Sequence, residues 1–250
     1  MVLDALGLAF DPDQGLATEA RLLSARHEGE AAETVLAAAL ELYAGKIALV
    51  SSFGADSAVL LAMVADIDPS LPVIFLDTGK LFPATLAYRD ALVETLGLTG
   101  IINRGPNALN LAAADPAGAL WMSDTDACCD IRKVKPLAAA LEPYAAWISG
   151  RKRYQAQTRV NLPLFEAADG RIKVNPLLGW DRARIEAYRE ARHLPPHPLV
   201  DEGYPSIGCL PCTDKVRPGE DERAGRWRGK TKTECGIHLG RSSGTVIPGI

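Results

Sequence analysis

The pattern that most constrains this chain is a strand-turn-helix unit near its start. KIALVSSF (46 to 53) is an apolar, β-branched run that reads as a buried strand. GAD makes a turn, and SAVLLAMVADI (57 to 67) reads as the helix that follows. The unit then repeats. PVIFLD (72 to 77) is a second buried strand, TGKLF a turn, and a helix is expected from about Pro83 to Leu96, with proline in its first turn. TGIINR (99 to 104) reads as a third strand. AAWISGR (145 to 151) reads as a fourth, after a helix over roughly Ile131 to Leu141. Strands alternating with helices predict an α/β fold with a doubly wound, mostly parallel sheet and helices on both faces. In such sheets ligands bind at the carboxyl ends of the strands. A weakly Ala-rich helical start, about Thr18 to Tyr43, precedes the first strand, and no internal repeat or low-complexity stretch interrupts the chain. The expected divisions are a helical segment (1 to 45) packed on an α/β domain (46 to 212), and a basic lid with a flexible tail (213 to 250).

With 250 residues, 48% of them hydrophobic, the chain has the material for one substantial core. Its net charge of -4 argues against nucleic acid as a partner, so any anion site must be local. The amino terminus has Asp4 where a secretory signal carries Lys or Arg, and no apolar run approaches the roughly 20 residues that span a bilayer. A cytoplasmic protein with no membrane association is expected. The five cysteines fall as an adjacent pair, one C-x-x-C and one single, a pattern that suits a metal or redox site in a reducing compartment better than a disulfide framework.

Two clusters follow from this. SSFGADS stands directly after the first strand. Gly54 lets the backbone approach a ligand, the hydroxyls of Ser51, Ser52 and Ser57 are donors, and the new helix offers free N–H groups to a phosphate. The plainer alternative is a tight turn whose Asp56 or Ser57 caps the helix. No G-K-[ST] follows, so this is not a Walker A loop. The second cluster is Cys128–Cys129 in TDACCDIRKVKPL and, eighty positions on, C-x-x-C at Cys209 and Cys212. Adjacent cysteines make a strained disulfide, whereas a cluster with two iron corners can accept both. Tetrathiolate zinc, which usually takes two C-x-x-C hooks, and buried free thiols are the alternatives.

The phosphate loop resembles that of the adenine-nucleotide α-hydrolase-like superfamily. SSFGADSAVL, FLDTGKLFP, CCDIRKVKPL, WISGRKRYQAQTR, YPSIGCLPC and DERAGRWRGKTKTECGIH occur in that order. Together they resemble the assimilatory adenylyl-sulfate reductases, of the family that also holds the phosphoadenylyl-sulfate reductases. The resemblance runs from about residue 46 to 240. It implies a [4Fe-4S] cluster on Cys128, Cys129, Cys209 and Cys212 that orients and tunes the site without shuttling electrons. It also implies Cys235 as nucleophile, and Ser51, Ser52, Gly54, Asp56 and Ser57 at the substrate. The chain has SGRKRYQAQ where many relatives have a G-x-R-R-x-[DE]-Q-S segment, which leaves open which of Arg151, Lys152 and Arg153 touches substrate; Arg151 is taken as the candidate.

From Lys215 to Lys232 seven cations face three anions, a surplus of four in an acidic protein. A solvated tail would explain it; so would an arginine-rich lid whose guanidinium forks meet a phosphosulfate. By the resemblance Arg223 and Arg226 take that role, and Lys133 lies between cluster and substrate, offsetting their mutual repulsion. Cys235 stands in the polar, glycine-flanked KTECGIHLG, and His238, three residues on, is a candidate acid or base. Trp121, Trp147 and Trp180 read as packing, and Trp227 as packing or a lid anchor.

The implied reaction is thiol-dependent reduction of adenylyl sulfate to sulfite and AMP through an S-sulfocysteine, in assimilatory sulfate reduction and cysteine biosynthesis. Thioredoxin or a glutaredoxin would be the donor. Reduction of phosphoadenylyl sulfate is the alternative within the family. An ATP pyrophosphatase shares the phosphate loop but not the E-C-G-[LI]-H, and a non-enzymatic iron-sulfur regulator would leave loop and lid unexplained. The oligomeric state stays open, a homo-oligomer included.

Overall fold

The computed structural model describes residues 12–238. Two helices open it, α1 (Pro12–Arg26) and α2 (Ala32–Leu42). The expected units follow at nearly the expected bounds: β1 (Ile47–Ser51), α3 (Ser57–Ile67), β2 (Val73–Leu76), α4 (Pro83–Leu96) and β3 (Ile101–Arg104). Then come the short helices α5 (Ala108–Ala114), α6 (Leu120–Ser123) and α7 (Thr125–Cys129), a π-helical turn over Asp130–Val134, α8 (Lys135–Ala140) and β4 (Ala146–Ile148). The sheet is completed by β5 (Phe165–Ala168) and β6 (Arg171–Val174), and α9 (Arg182–Ala191) follows. Sequence reading had not found these last three elements.

Strand order is β3-β2-β1-β4-β6-β5, parallel throughout except for β5, which runs antiparallel at one edge. The chain winds outward to β3 and then returns to place β4 on the other side of β1. The carboxyl ends of β1 and β4 therefore flank the switch point where an open α/β sheet takes its ligand. The edge strand is covered. Ser24 on α1 accepts a hydrogen bond from the Phe165 N–H (2.9 Å) and donates to the Phe165 carbonyl (3.1 Å), which satisfies an otherwise bare strand edge.

The core sits between sheet and helices. On α3 every residue from Ala58 to Val64 is buried, which is what an all-apolar helix between layers requires. Leu49, Phe75, Ile148, Ile172 and Val174 meet it from the sheet. His197 belongs to this structural class: it is fully buried against Tyr88 (ring centroids 4.6 Å apart), within 3.1 Å of the Thr85 hydroxyl, and burial pushes its pKa down to about 4. No helix among the described residues is long and apolar enough to cross a membrane.

Candidate active site

A cavity of about 240 Å³ opens at the carboxyl ends of β1 and β4. The phosphate loop forms one wall. Ser51, at the end of β1, accepts a hydrogen bond from the Phe53 N–H (3.2 Å), and Ser57, first residue of α3, accepts one from the Gly54 N–H (2.8 Å). Both hydroxyls therefore brace the loop. Phe53 sits at φ +48°, a left-handed conformation that costs of order 1–3 kcal/mol, and is held there by full burial edge-on to Phe75. Ser51, Ser52, Gly54, Asp56 and Ser57 all line the cavity.

Asp56 neither caps α3 nor stands free. Its carboxylate accepts from Lys152 Nζ (3.0 Å), Gln155 Nε2 (3.1 Å) and Arg182 Nη1 (2.7 Å). Burial works against its charge, but Lys152 and Arg182 hold its pKa below the usual carboxylate range. Arg182 in turn forks onto Glu222 of the lid (2.8 and 2.5 Å). Arg151 lines the cavity too, yet its guanidinium is paired with Glu166 on β5, beside the buried Lys173, and Arg153 turns away to the Leu162 carbonyl. Of the three basic residues in that stretch, Arg151 and Lys152 line the cavity, each already paired with a carboxylate.

The lid forms the facing wall. Trp227, 3% exposed, anchors it, with the Arg226 guanidinium 4.5 Å from the ring. The lid is tied back through a bridge between Thr213 and Arg226. Arg226 donates to the Ile207 carbonyl (3.2 Å), while its buried Nε has no partner. Arg223 reaches the Thr233 carbonyl (3.1 Å) and Glu234 (3.5 Å). Cys235 is folded in over the same cavity, half-buried. The expected tail is thus docked as far as His238, and 239 to 250 lie outside the described residues. The pKa of Cys235 is lowered well below that of an ordinary thiol. A hydrogen bond from Cys129 is the main cause, desolvation opposes it, and Lys133 and Arg226 add to the lowering. Burial works against the Lys133 ammonium, but Cys235 and Cys209 raise its pKa above the ordinary value. His238 stacks on Trp147 (6.0 Å, 8° between planes), its Nδ1 buried without a partner. Burial, then Arg151 and Lys173, drives its pKa far down, so its ring is neutral.

Cys128, Cys129, Cys209 and Cys212 line a second, smaller cavity, with Lys133, Arg226 and Trp227 lining both and so forming the partition. Local sequence explains the first pair's setting. Pro136 has no N–H to give the Arg132 carbonyl four residues back, and the helix passes there through the wide turn in which Lys135 N–H bonds to Asp130. The second pair is held by the Leu210 N–H on the Lys80 carbonyl (2.8 Å), with the Thr78 hydroxyl 3.3 Å from Cys209 Sγ. All four thiols are unbridged. Among the described residues no three His, Cys, Asp or Glu side chains converge as a single metal ion would need. The thiols instead surround a space, and Arg132 Nε and Arg226 Nε are buried donors on its wall without partners. That donor set fits a polynuclear, sulfur-rich anion. Residues the sequence reading did not assign, Arg159, Arg182, Glu222 and Glu234, join the site through ion pairs; nothing in their spacing marks such long-range partners.

Residues 46–215 match the phosphoadenosine phosphosulfate reductase domain. The chain is 55% identical over 238 residues to the adenosine 5'-phosphosulfate reductase of Mesorhizobium japonicum, covering 95% of this chain and 92% of that protein. It is 41% identical over 222 residues to the phosphoadenosine 5'-phosphosulfate reductase of Gloeobacter violaceus, covering 86% and 92%. The crystal structure of phosphoadenylyl-sulfate reductase from Candida auris, a phosphate complex, superposes with a TM-score of 0.68 at 25% identity, over 84% of this chain and 99% of that one. A phosphate loop, two cysteine pairs and a docked E-C-G-I-H segment around one sheet switch point, with these similarities, place the chain in the phosphoadenosine phosphosulfate reductase family.

Proposed function

We propose that this protein reduces adenylyl sulfate to sulfite and AMP in the cytoplasm, with Cys235 as the nucleophile. One observation carries the reading: Cys235, the phosphate loop, Lys133 and the lid arginines share a single cavity, and Lys133, Arg226 and Trp227 divide it from the smaller cavity lined by the four other thiols. The name of the relative from Mesorhizobium japonicum supports adenylyl sulfate as the substrate.

In this reading the 5′-phosphate lies at the loop's N–H groups and the start of α3, while Lys133, Arg223 and Arg226 hold the sulfate end. The Cys235 thiolate attacks sulfur, an S–S bond forms, the S–O bond to the phosphate breaks, and AMP leaves with the bonding pair. With Cys129 given to a cluster its thiol has no proton to donate, so Lys133 and Arg226 are the groups that favour the thiolate, and they also offset charge on the departing phosphate. Neutral His238, stacked on Trp147 with its buried Nδ1 unpartnered, holds a hydrogen-bonding ring at the cavity that suits hydrogen bonding to substrate better than deprotonating the cysteine. A dithiol donor, thioredoxin or glutaredoxin, then attacks Cys235 Sγ, expels sulfite and resolves the mixed disulfide with its second thiol. Cys128, Cys129, Cys209 and Cys212 would hold a [4Fe-4S] cluster, which supplies a fixed negative charge beside Lys133 and Arg226 and so sets their orientation.

Protein mixed with adenylyl sulfate and no thiol donor is expected to gain one SO3 group on Cys235 and release one equivalent of AMP. Cys235→Ser should bind the nucleotide and release none. Sulfite from that variant, or an adduct on another residue, would show the mechanism to be wrong. Equal kcat/KM for adenylyl sulfate and its 3′-phosphorylated form would shift the reading to the broader substrate class.

A further inference from the structure

The residue before Cys235 is held by a buried, two-pronged ion pair. Glu234 is 8% exposed, and both of its oxygens are taken by one guanidinium: Arg159 Nε donates to Oε1 (2.6 Å) and Nη2 to Oε2 (2.9 Å). Two parallel bonds between a planar fork and a carboxylate fix orientation as well as distance. The Thr158 hydroxyl (3.3 Å) and Arg223 Nη2 (3.5 Å) complete the set around Glu234. Arg159, 7% exposed, is itself aimed. Its Nη1 donates to Gln155 Oε1 (2.8 Å), and the same Gln155 donates through Nε2 to Asp56 of the phosphate loop (3.1 Å). The frame that holds Glu234 is therefore the frame that shapes the phosphate site.

We infer that Arg159 and Glu234 form a positioning clamp that sets Cys235 over the substrate cavity. The inference rests on the reading of Cys235 as the nucleophile. From Thr231 to His238 the chain has only one short 3-10 turn, Gly236–His238. Something other than secondary structure must place the sulfur. On the far side of Cys235, Ile237 packs on the cluster that holds Leu137 and Trp147; on the near side Lys232 pairs with Asp126 at the surface, and the clamp is the buried ion pair, one residue from the sulfur. Neither clamp residue need touch substrate for this role; each acts through the position it gives Cys235.

The test compares anaerobically prepared wild-type protein with Glu234→Gln, Arg159→Gln and the double variant. Glu234→Gln keeps the shape and removes the charge. Opening the segment should speed iodoacetamide alkylation of Cys235, read on its own peptide by mass spectrometry, at least tenfold. The single-turnover rate of SO3 transfer should fall at least tenfold, with the AMP Kd within threefold of wild type, so that kcat and not KM carries the loss. The double variant should be no worse than either single, because the two residues act as one unit, and Arg159→Lys should fall between wild type and Arg159→Gln. If Glu234→Gln does not fold, Arg159→Lys carries the comparison. Alkylation within twofold of wild type in the single variants, or losses that add in the double variant, would overturn the clamp. A wild-type protein that takes up no SO3 would sink the functional reading instead, and the alkylation rates would still decide whether the clamp closes the segment.

Discussion

Gly208, in SIGCLPC, shows how one missing side chain can build a site. A Cβ at this position would lie 2.2 Å from Arg226 Nη2 and 2.4 Å from Cζ, so the guanidinium occupies the space that any other residue would fill. Arg226 is boxed by that glycine, by the Trp227 ring and by the Ile207 carbonyl, with Nε left over. Gly208→Ala should therefore act as a remote copy of Arg226→Ala. A charge-assisted contact is worth roughly 1.5–3 kcal/mol, so each variant is expected to weaken adenylyl sulfate binding about tenfold to a hundredfold. The double variant should lose little more than either single. Isothermal titration of the Cys235→Ser protein, which cannot turn over, measures this directly. Unchanged affinity in Gly208→Ala would mean that Arg226 is not needed where it stands. The sequence marked Arg226 as a candidate, but not the glycine eighteen residues earlier that makes room for it, because the contact exists only once the lid has folded back. Asp56 is the reverse case. It was visible as a loop residue, and its partners Lys152, Gln155 and Arg182 come from elements that local pattern cannot bring together.

At the scale of elements, β1, β2 and β4 were legible because they are buried on both faces, so that their apolar runs stand out between turns, whereas β3, half-buried to exposed at the sheet edge, was read from its place after a helix and a turn. β5 and β6 hide because each is short and carries charge: Glu166 and Lys173 face one another across the hairpin, and Lys173 is buried with its pKa pulled down to about 8 by desolvation and by Arg151. The signal that could have revealed them is the Asp169–Gly170 pair, with φ of +52° and +70°, a two-residue hairpin turn of the kind that matches strand twist. Nothing lies within 4 Å of where a Gly170 Cβ would point. Gly170→Ala should then cost only the left-handed backbone strain, about 1 kcal/mol by urea unfolding. Its kcat/KM should match wild type, since the turn lies at the end of the sheet away from the cavity. A cost above about 3 kcal/mol, or a loss of activity, would show that the turn does more than connect strands. The wide turn after Cys129 was hidden differently. The sequence reading starts the helix at about Ile131, whereas α7, the wide turn and α8 run without a break from Thr125 to Ala140, and only Pro136 tells of the change in hydrogen bonding.

Across the whole molecule, the two cysteine pairs come from distant segments, otherwise tied to one another by Lys230 on Trp121 and Thr125 and by Lys232 on Asp126. Cys128 and Cys129 end α7, while Cys209 and Cys212 stand eighty positions later in a loop joined to the domain chiefly through Lys80, Leu81 and Thr78. A cluster held by all four would staple that loop, and with it the Thr213–Arg226 bridge and the lid, to the helix that carries Lys133. In the chain-entropy account, a cross-link closing a loop of this size is worth about 4–5 kcal/mol, less whatever the folded segments already fix. For a domain of this length, each kcal/mol moves the melting temperature by roughly 2–4 °C. Anaerobic removal of iron from the purified protein should therefore lower the melting temperature by several degrees, and reconstitution with iron and sulfide should restore it. The loss should also be local: amide exchange is expected to quicken between residues 200 and 238 and to stay slow in β1, β2 and β4, whose burial does not depend on the cysteines. Cys209→Ser should reproduce both effects and fail to hold four irons. Iron-free protein that melts and exchanges like the loaded form, or a fully loaded Cys209→Ser protein, would mean that the four thiols do not act as one site, and the lid would have to owe its placement to Trp227 and its ion pairs alone.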